Sequence, residues 1–126
     1  MFDKEDIIYS YTRSQAIEDG SLIDVTQMAK EAGIKYPVAV TKAVWDTYIT
    51  PDEELISLGQ SINGRLWDVL WIFRTLASHK SRDTLFFRVY FLMDRYTKPK
   101  FVTLKALIHP GDNLEPVITI MLPGED

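Results

Sequence analysis

The sequence has 126 residues, 46% hydrophobic and 25% charged, enough apolar mass for one domain around one core, which excludes a largely disordered chain. It has no cysteine, which excludes a disulfide scaffold, a thiolate metal site and a cysteine nucleophile. Its net charge of −4 disfavours a globally basic nucleic-acid binder, because phosphate contact needs clustered Lys and Arg.

From the N-terminus, Met1-Phe2-Asp3-Lys4-Glu5-Asp6 is acidic and lacks the apolar run of a secretory signal. Ile7-Ile8-Tyr9 suits a short strand. Thr12 is placed to cap a helix over Arg13 to Asp19, its hydroxyl accepting a free N–H of the first turn. Gly20 is placed to end that helix in a left-handed conformation. Leu22 to Val25 reads as a short strand or extended link. Thr26 caps a second helix, Gln27 to Ala32, closed by Gly33. Tyr36-Pro37-Val38-Ala39-Val40 fits an extended segment, while Val40, Val44 and Tyr48 favour a helix from Thr41 to Ile49. Thr50-Pro51-Asp52-Glu53-Glu54 combines a capping hydroxyl, a proline at the first helical position and acids at the positive end of the dipole.

The main helix is expected over Ser61 to His79. Ile62, Leu66, Val69, Phe73 and Leu76 fall on one face, widened by Leu70 and Ala77. Trp67 and Trp71 form a second apolar strip, so the helix reads as central and contacted from more than one side. Asp68 and Arg74 break the apolar run from Leu66 to Leu76, which is too short and too charged to cross a bilayer. The expectation is a cytoplasmic protein of a prokaryote or of a virus of one, with no membrane association.

After residue 83 the period changes to two. Leu85, Phe87, Val89, Phe91 and Met93 set an apolar residue at every second position. Val102, Leu104, Ala106 and Ile108 do the same, as do Ile118, Ile120 and Leu122. The predicted fold class is α+β: N-terminal short helices, one central helix and a C-terminal three-stranded antiparallel meander packed on it by one face. Pro110-Gly111-Asp112-Asn113 makes the last turn, and Pro123 to Asp126 reads as a frayed tail.

Few residues carry recognisable chemistry. The stretch Gly59 to Arg65 (GQSINGR) lacks the Lys-Ser/Thr ending of a phosphate loop. Two distant histidines, His79 and His109, do not make a zinc site, and Asp112-Asn113 and Asp52-Glu53-Glu54 read as turn and capping acids. No cofactor or metal is assigned. The second face of the predicted sheet stands out, with Phe86, Arg88, Tyr90, Phe101, Thr103, Lys105 and Thr119. Rings interleaved with cations on an open sheet suit a partner protein or stacked bases, or ordinary cross-strand pairs.

The motif from Ile8 to Thr26 (IYSYTRSQAIEDGSLIDVT), with Ala32-Gly33, Tyr36 to Thr41 (YPVAVT) and Ala43-Val44-Trp45, resembles a family of small uncharacterised bacterial proteins associated with phages, plasmids and other mobile elements. The resemblance implies an accessory protein and carries no activity. A second likeness, to the opening of ADP-ribosyltransferase-like domains, would set Tyr11, Thr12 and Arg13 where polar residues help hold NAD. No strand here offers the Gln/Glu-x-Glu pair of those enzymes.

The functional expectation is non-catalytic binding to a host or phage protein. Its candidate residues are Tyr9, Tyr11, Thr12 and Arg13, together with Arg88, Tyr90, Thr103 and Lys105 on the open face. Nucleic-acid binding through Arg88 and Lys105, disfavoured by the net charge, and a degenerate NAD-binding transferase are the alternatives.

Overall fold

The computed structural model describes residues 11–77, 83–94 and 98–125. The expected strand at Ile7 to Tyr9 and the candidate Tyr9 lie outside them, as does His79. The first helix, α1 (Arg13–Asp19), has the anticipated ends. The Thr12 hydroxyl accepts from the Gln15 N–H while the Gln15 side chain accepts from the Thr12 N–H, a reciprocal capping box. Gly20 closes the helix at φ 87°, a conformation that a Cβ disfavours. Then come β1 (Leu22–Asp24), α2 (Thr26–Glu31) and β2 (Val38–Thr41).

Thr26 does not cap α2 as expected. Its hydroxyl donates to Asp24, and its oxygen accepts the Val38 N–H, so it pins α2 to β2 instead. Thr41 does cap the next helix, α3, an α turn over Lys42–Val44 that widens into a π turn over Trp45–Ile49. Asp52, not Thr50, caps α4 (Glu53–Ser57) through its carboxylate and the Leu55 N–H, leaving Pro51 buried before the helix. The last helix is α5 (Ile62–Ala77), followed by β3 (Thr84–Phe91), β4 (Lys100–Pro110) and β5 (Pro116–Met121).

β3, β4 and β5 are antiparallel neighbours as anticipated, but they are only part of the sheet. The sheet has five strands in the order β1-β2-β5-β4-β3. β2 lies parallel to β5, with Val38 opposite Ile118 and Val40 opposite Ile120, and β1 runs antiparallel to β2. The reason is in β2 itself. Val38, Ala39 and Val40 are all buried, and a continuous apolar run is stable as a strand only with neighbours on both edges and cover on both faces.

α5 covers one face, where Leu66, Val69, Leu70 and Phe73 pack with Phe87, Val89, Phe91, Leu104, Ala106, Ile118 and Ile120. The helix is less central than its sequence implies. Trp67 and Trp71 stack on its outer side at 37% and 47% exposure, with the Arg74 guanidinium over Trp71. Ile62 and Leu76, near its ends, are also exposed.

A buried cation sits at the start of the same helix. Arg65 is 3% exposed, donates from Nε to the Tyr48 carbonyl at 2.6 Å and from a terminal nitrogen to the Leu92 carbonyl at 2.9 Å, and stacks over Phe91. Burial holds its pKa below the ordinary value, while Asp52 and Asp68 oppose that shift. Arg65 therefore joins α3, α5 and the end of β3 through groups that would otherwise be unpaired. Arg65→Ala, which leaves both carbonyls without this donor, is expected to lower stability by about 3 kcal/mol. Urea unfolding followed by tryptophan fluorescence checks it, and Arg65→Lys should recover part of the loss.

Candidate functional site

On the face opposite α5, the alternation of the strands brings Leu107, His109, Thr119 and Met121 under α1, and leaves Phe86, Arg88, Tyr90, Phe101 and Thr103 without a helix above them among the described residues. α1 is held down by bonds from far along the chain. The Asp112 carboxylate, in the β4–β5 turn, accepts the backbone N–H groups of Arg13 at 2.8 Å and Ser14 at 3.0 Å. Those two bonds, the Ser14 one first, hold the Asp112 carboxyl below its usual range. The acid read as a turn and capping residue thus caps a helix at the other end of the sequence.

Arg13 points into the sheet rather than into solvent. Its terminal nitrogens donate to the Thr119 hydroxyl at 2.6 Å and to the Ile118 carbonyl at 2.7 Å. Burial lowers its pKa, and Asp24, Asp112 and Glu115 act the other way. Thr119, buried, receives Arg13 on one lone pair and lies 2.8 Å from His109 Nε2. His109 Nδ1 lies 3.1 Å from the Pro110 carbonyl. Every partner is satisfied when the imidazole proton is on Nδ1 and the Thr119 hydroxyl donates to Nε2.

Above this network lies a cleft of about 540 Å³, lined by Tyr11, Ser21, Leu22, Thr41, Leu107 and Met121 among others. The Tyr11 hydroxyl donates to Asp19 and lies 3.2 Å from Ser21 Oγ. The bond to Asp19 raises the Tyr11 pKa, and bonds from Ser21 and Tyr11 lower that of Asp19. On the floor side, Glu125 accepts from the Thr41 hydroxyl at 2.8 Å and from the Leu122 N–H at 2.8 Å. Residues 123–125 are therefore anchored through Glu125, not frayed, because its carboxylate satisfies a strand-end N–H and a hydroxyl together, while Asp126 lies outside the described residues.

The open half is aromatic. Phe86, Tyr90 and Phe101 expose 56%, 57% and 54% of their surface. Tyr90 stacks on its cross-strand partner Phe101, with ring centroids 3.7 Å apart. Arg88 lies 5.3 Å from the Phe101 ring centre. Lys105 is less available, since its ammonium donates to the Glu125 carbonyl.

The model of one protein family matches residues 1–126. The chain belongs to this family of unknown function, DUF6573. No curated protein and no solved structure matches the chain. The structure sets the sequence candidates in two groups on one sheet face: Tyr11, Thr12 and Arg13 beside the cleft, and Arg88, Tyr90, Thr103 and Lys105 toward the β3 edge. His109 and Asp112 join the first group and Phe86 and Phe101 the second. Alternation alone places His109, Phe86 and Phe101 on this face, but no local pattern reveals that Asp112 caps α1. Among the described residues no cluster of three or more His, Asp or Glu is placed to hold a metal ion, and no helix is long and apolar enough to cross a membrane.

The Asp112 geometry has a pH signature. A carboxylate with a lowered folded pKa contributes stability above its unfolded pKa, about 4, and that contribution is lost as pH falls through the folded value. Amide exchange in α1 is expected to accelerate, relative to β4, as pH drops below about 4. Asp112→Ala should show faster α1 exchange already at neutral pH and a smaller acid step. NMR-detected hydrogen exchange across pH checks both.

Proposed function

We propose that the chain is a non-catalytic protein-binding module, one domain over 1–126, whose contact surface is the open half of the sheet. The observation that carries this reading is the aromatic group of Phe86, Tyr90 and Phe101, each more than half exposed on one sheet face, with Tyr90 and Phe101 as cross-strand partners. Large rings bury much apolar area, and a contiguous exposed patch of them marks an interaction site. Arg88 beside Phe101 adds a residue type enriched in protein interfaces.

Charge favours a protein over a nucleic acid on this surface. A phosphate backbone needs a row of available cations. Here Lys105 is engaged by the Glu125 carbonyl, and Arg88 lies over the Phe101 ring. The NAD-binding alternative finds less support. Thr12 uses its hydroxyl to cap α1, and Arg13 directs two of its N–H groups to Thr119 and Ile118. The resemblance of the N-terminal motif supports an accessory role in a phage, plasmid or other mobile element, in the cytoplasm of a bacterium, with a host or phage protein as the partner.

Tyr90→Ala combined with Phe101→Ala is expected to abolish retention of a stoichiometric protein partner from the native host, with thermal unfolding little changed. Affinity purification with nuclease, read by mass spectrometry and repeated at high salt, checks it. Retention that survives nuclease and salt supports the reading. Nucleic acid that co-purifies and leaves in salt would overturn it in favour of the phosphate-binding alternative.

A further inference from the structure

Among the described residues the same sheet has an unpaired edge, and its hydrogen-bonding pattern defines how that edge is used. The Ile108 N–H donates to the Asp83 carbonyl at 2.8 Å, and β3 and β4 pair with Thr84 opposite Leu107. In an antiparallel pair, hydrogen-bonded positions alternate. So Leu85, Phe87, Val89 and Phe91 direct their backbone groups to β4, while Thr84, Phe86, Arg88 and Tyr90 direct theirs away from it. Among the described residues no strand pairs with this outer edge. It spans the eight residues of β3 and contains no proline. A hollow of about 330 Å³ runs beside it, lined by Leu76, Phe86, Phe87, Arg88 and Thr103. A free strand edge of this length is a template for another strand.

We infer that the occupant is a second copy of this chain, paired antiparallel through β3 about a two-fold axis at Phe87. In that register Thr84 faces Tyr90 of the second copy, and Phe86 faces its Arg88. Each of the four outward residues then meets an outward residue, and the four pairs exchange two backbone bonds each, eight in all. The side chains agree with the backbone. Arg88 already lies over one ring of its own chain, and the pairing sets it beside a second, Phe86, so cation meets ring on both sides of the axis. The neighbouring registers are poorer. A shift of two residues one way sets Arg88 against its own copy, a like-charge pair. A shift the other way sets Phe86 against itself and leaves Tyr90 beyond the end of the strand.

The two-fold axis is perpendicular to the sheet, so both α5 helices lie on one side and both aromatic faces on the other. Leu76, exposed at the same edge, is covered on the helix side. The product is one ten-stranded sheet with a single aromatic face twice as wide. The inference rests on the edge, independently of whether that face binds a partner protein.

The absence of cysteine makes the register directly testable. Hydrogen-bonded antiparallel partners are about 5.5 Å apart at Cα, within the range of a disulfide. Thr84→Cys mixed with Tyr90→Cys should form an oxidised heterodimer, and neither variant alone should cross-link. Sedimentation at high micromolar concentration should give twice the 14.5 kDa chain mass. Arg88→Pro deletes an N–H that points away from β4, so the fold should persist, by circular dichroism, with association at least about tenfold weaker. A monomer at high micromolar concentration overturns the inference. So does cross-linking of either single variant without the mixture, or a dimer that Arg88→Pro leaves intact. If Arg88→Pro fails to fold, the cysteine pair decides alone.

Discussion

The parallel pairing of β2 with β5 is the constraint from which the rest of the architecture follows. It joins the N-terminal helical half of the chain to the C-terminal strands, with Val38, Ala39 and Val40 set between β1 and β5. A strand buried on both faces needs cover above and below. α5 supplies it along one side with Leu66, Val69, Leu70 and Phe73. On the other side the cover is α1, only seven residues long. A helix rises about 1.5 Å per residue and strands lie about 4.8 Å apart, so a two-turn helix shelters only part of a five-stranded sheet. The part it leaves is β3 and the adjoining half of β4, where the exposed rings are.

A short helix has little apolar area of its own, and α1 buries only Ala16. Its place over the sheet therefore depends on polar contacts at long sequence separation. Asp112 holds its first turn, and Arg13 reaches through to Thr119 and Ile118. Each of these contacts is directional, and each satisfies groups that the sheet or the helix end would otherwise leave unpaired. This explains why the most distinctive residues of the N-terminal motif, Thr12 and Arg13, serve the fold and not the solvent.

The parts of the structure legible in the sequence are those whose cause is local. The Thr12 cap, the Gly20 end of α1 and the alternation from Leu85 to Leu122 depend on neighbours within a few residues, and they occur where expected. The place of β2 in the sheet was not legible, because a three-residue apolar run has no period and its parallel partner lies eighty residues away. Nothing in the sequence singled out Arg65 as buried; its burial depends on the carbonyls of Tyr48 and Leu92, which only the tertiary fold brings near. Trp67 and Trp71 show the opposite failure. Their spacing implied a second apolar strip contacted by another element, yet both rings are exposed. The candidate surface divides the same way: alternation assigned Arg88, Tyr90, Thr103 and Lys105 to one face, while Lys105's engagement with Glu125 required knowing where the C-terminal residues go.

The open face and the open edge are two consequences of one shortage of cover, and they differ in how they resist nonspecific association. On the face, Tyr90 and Phe101 stack on each other and Arg88 lies over Phe101. The rings thus shield part of one another, and a cation keeps water nearby. The edge has a different safeguard. Natural sheets blunt a free edge with charge, proline or shortness; β3 has no proline and eight residues, so its safeguard is the charge of Arg88 at its middle. A charge at that position blocks in-register stacking on itself and leaves the offset pairing with Phe86 open. A pairing of β3 with its own copy about a two-fold uses the free β3 edges of both copies at once, so it closes on itself, as isologous contacts do.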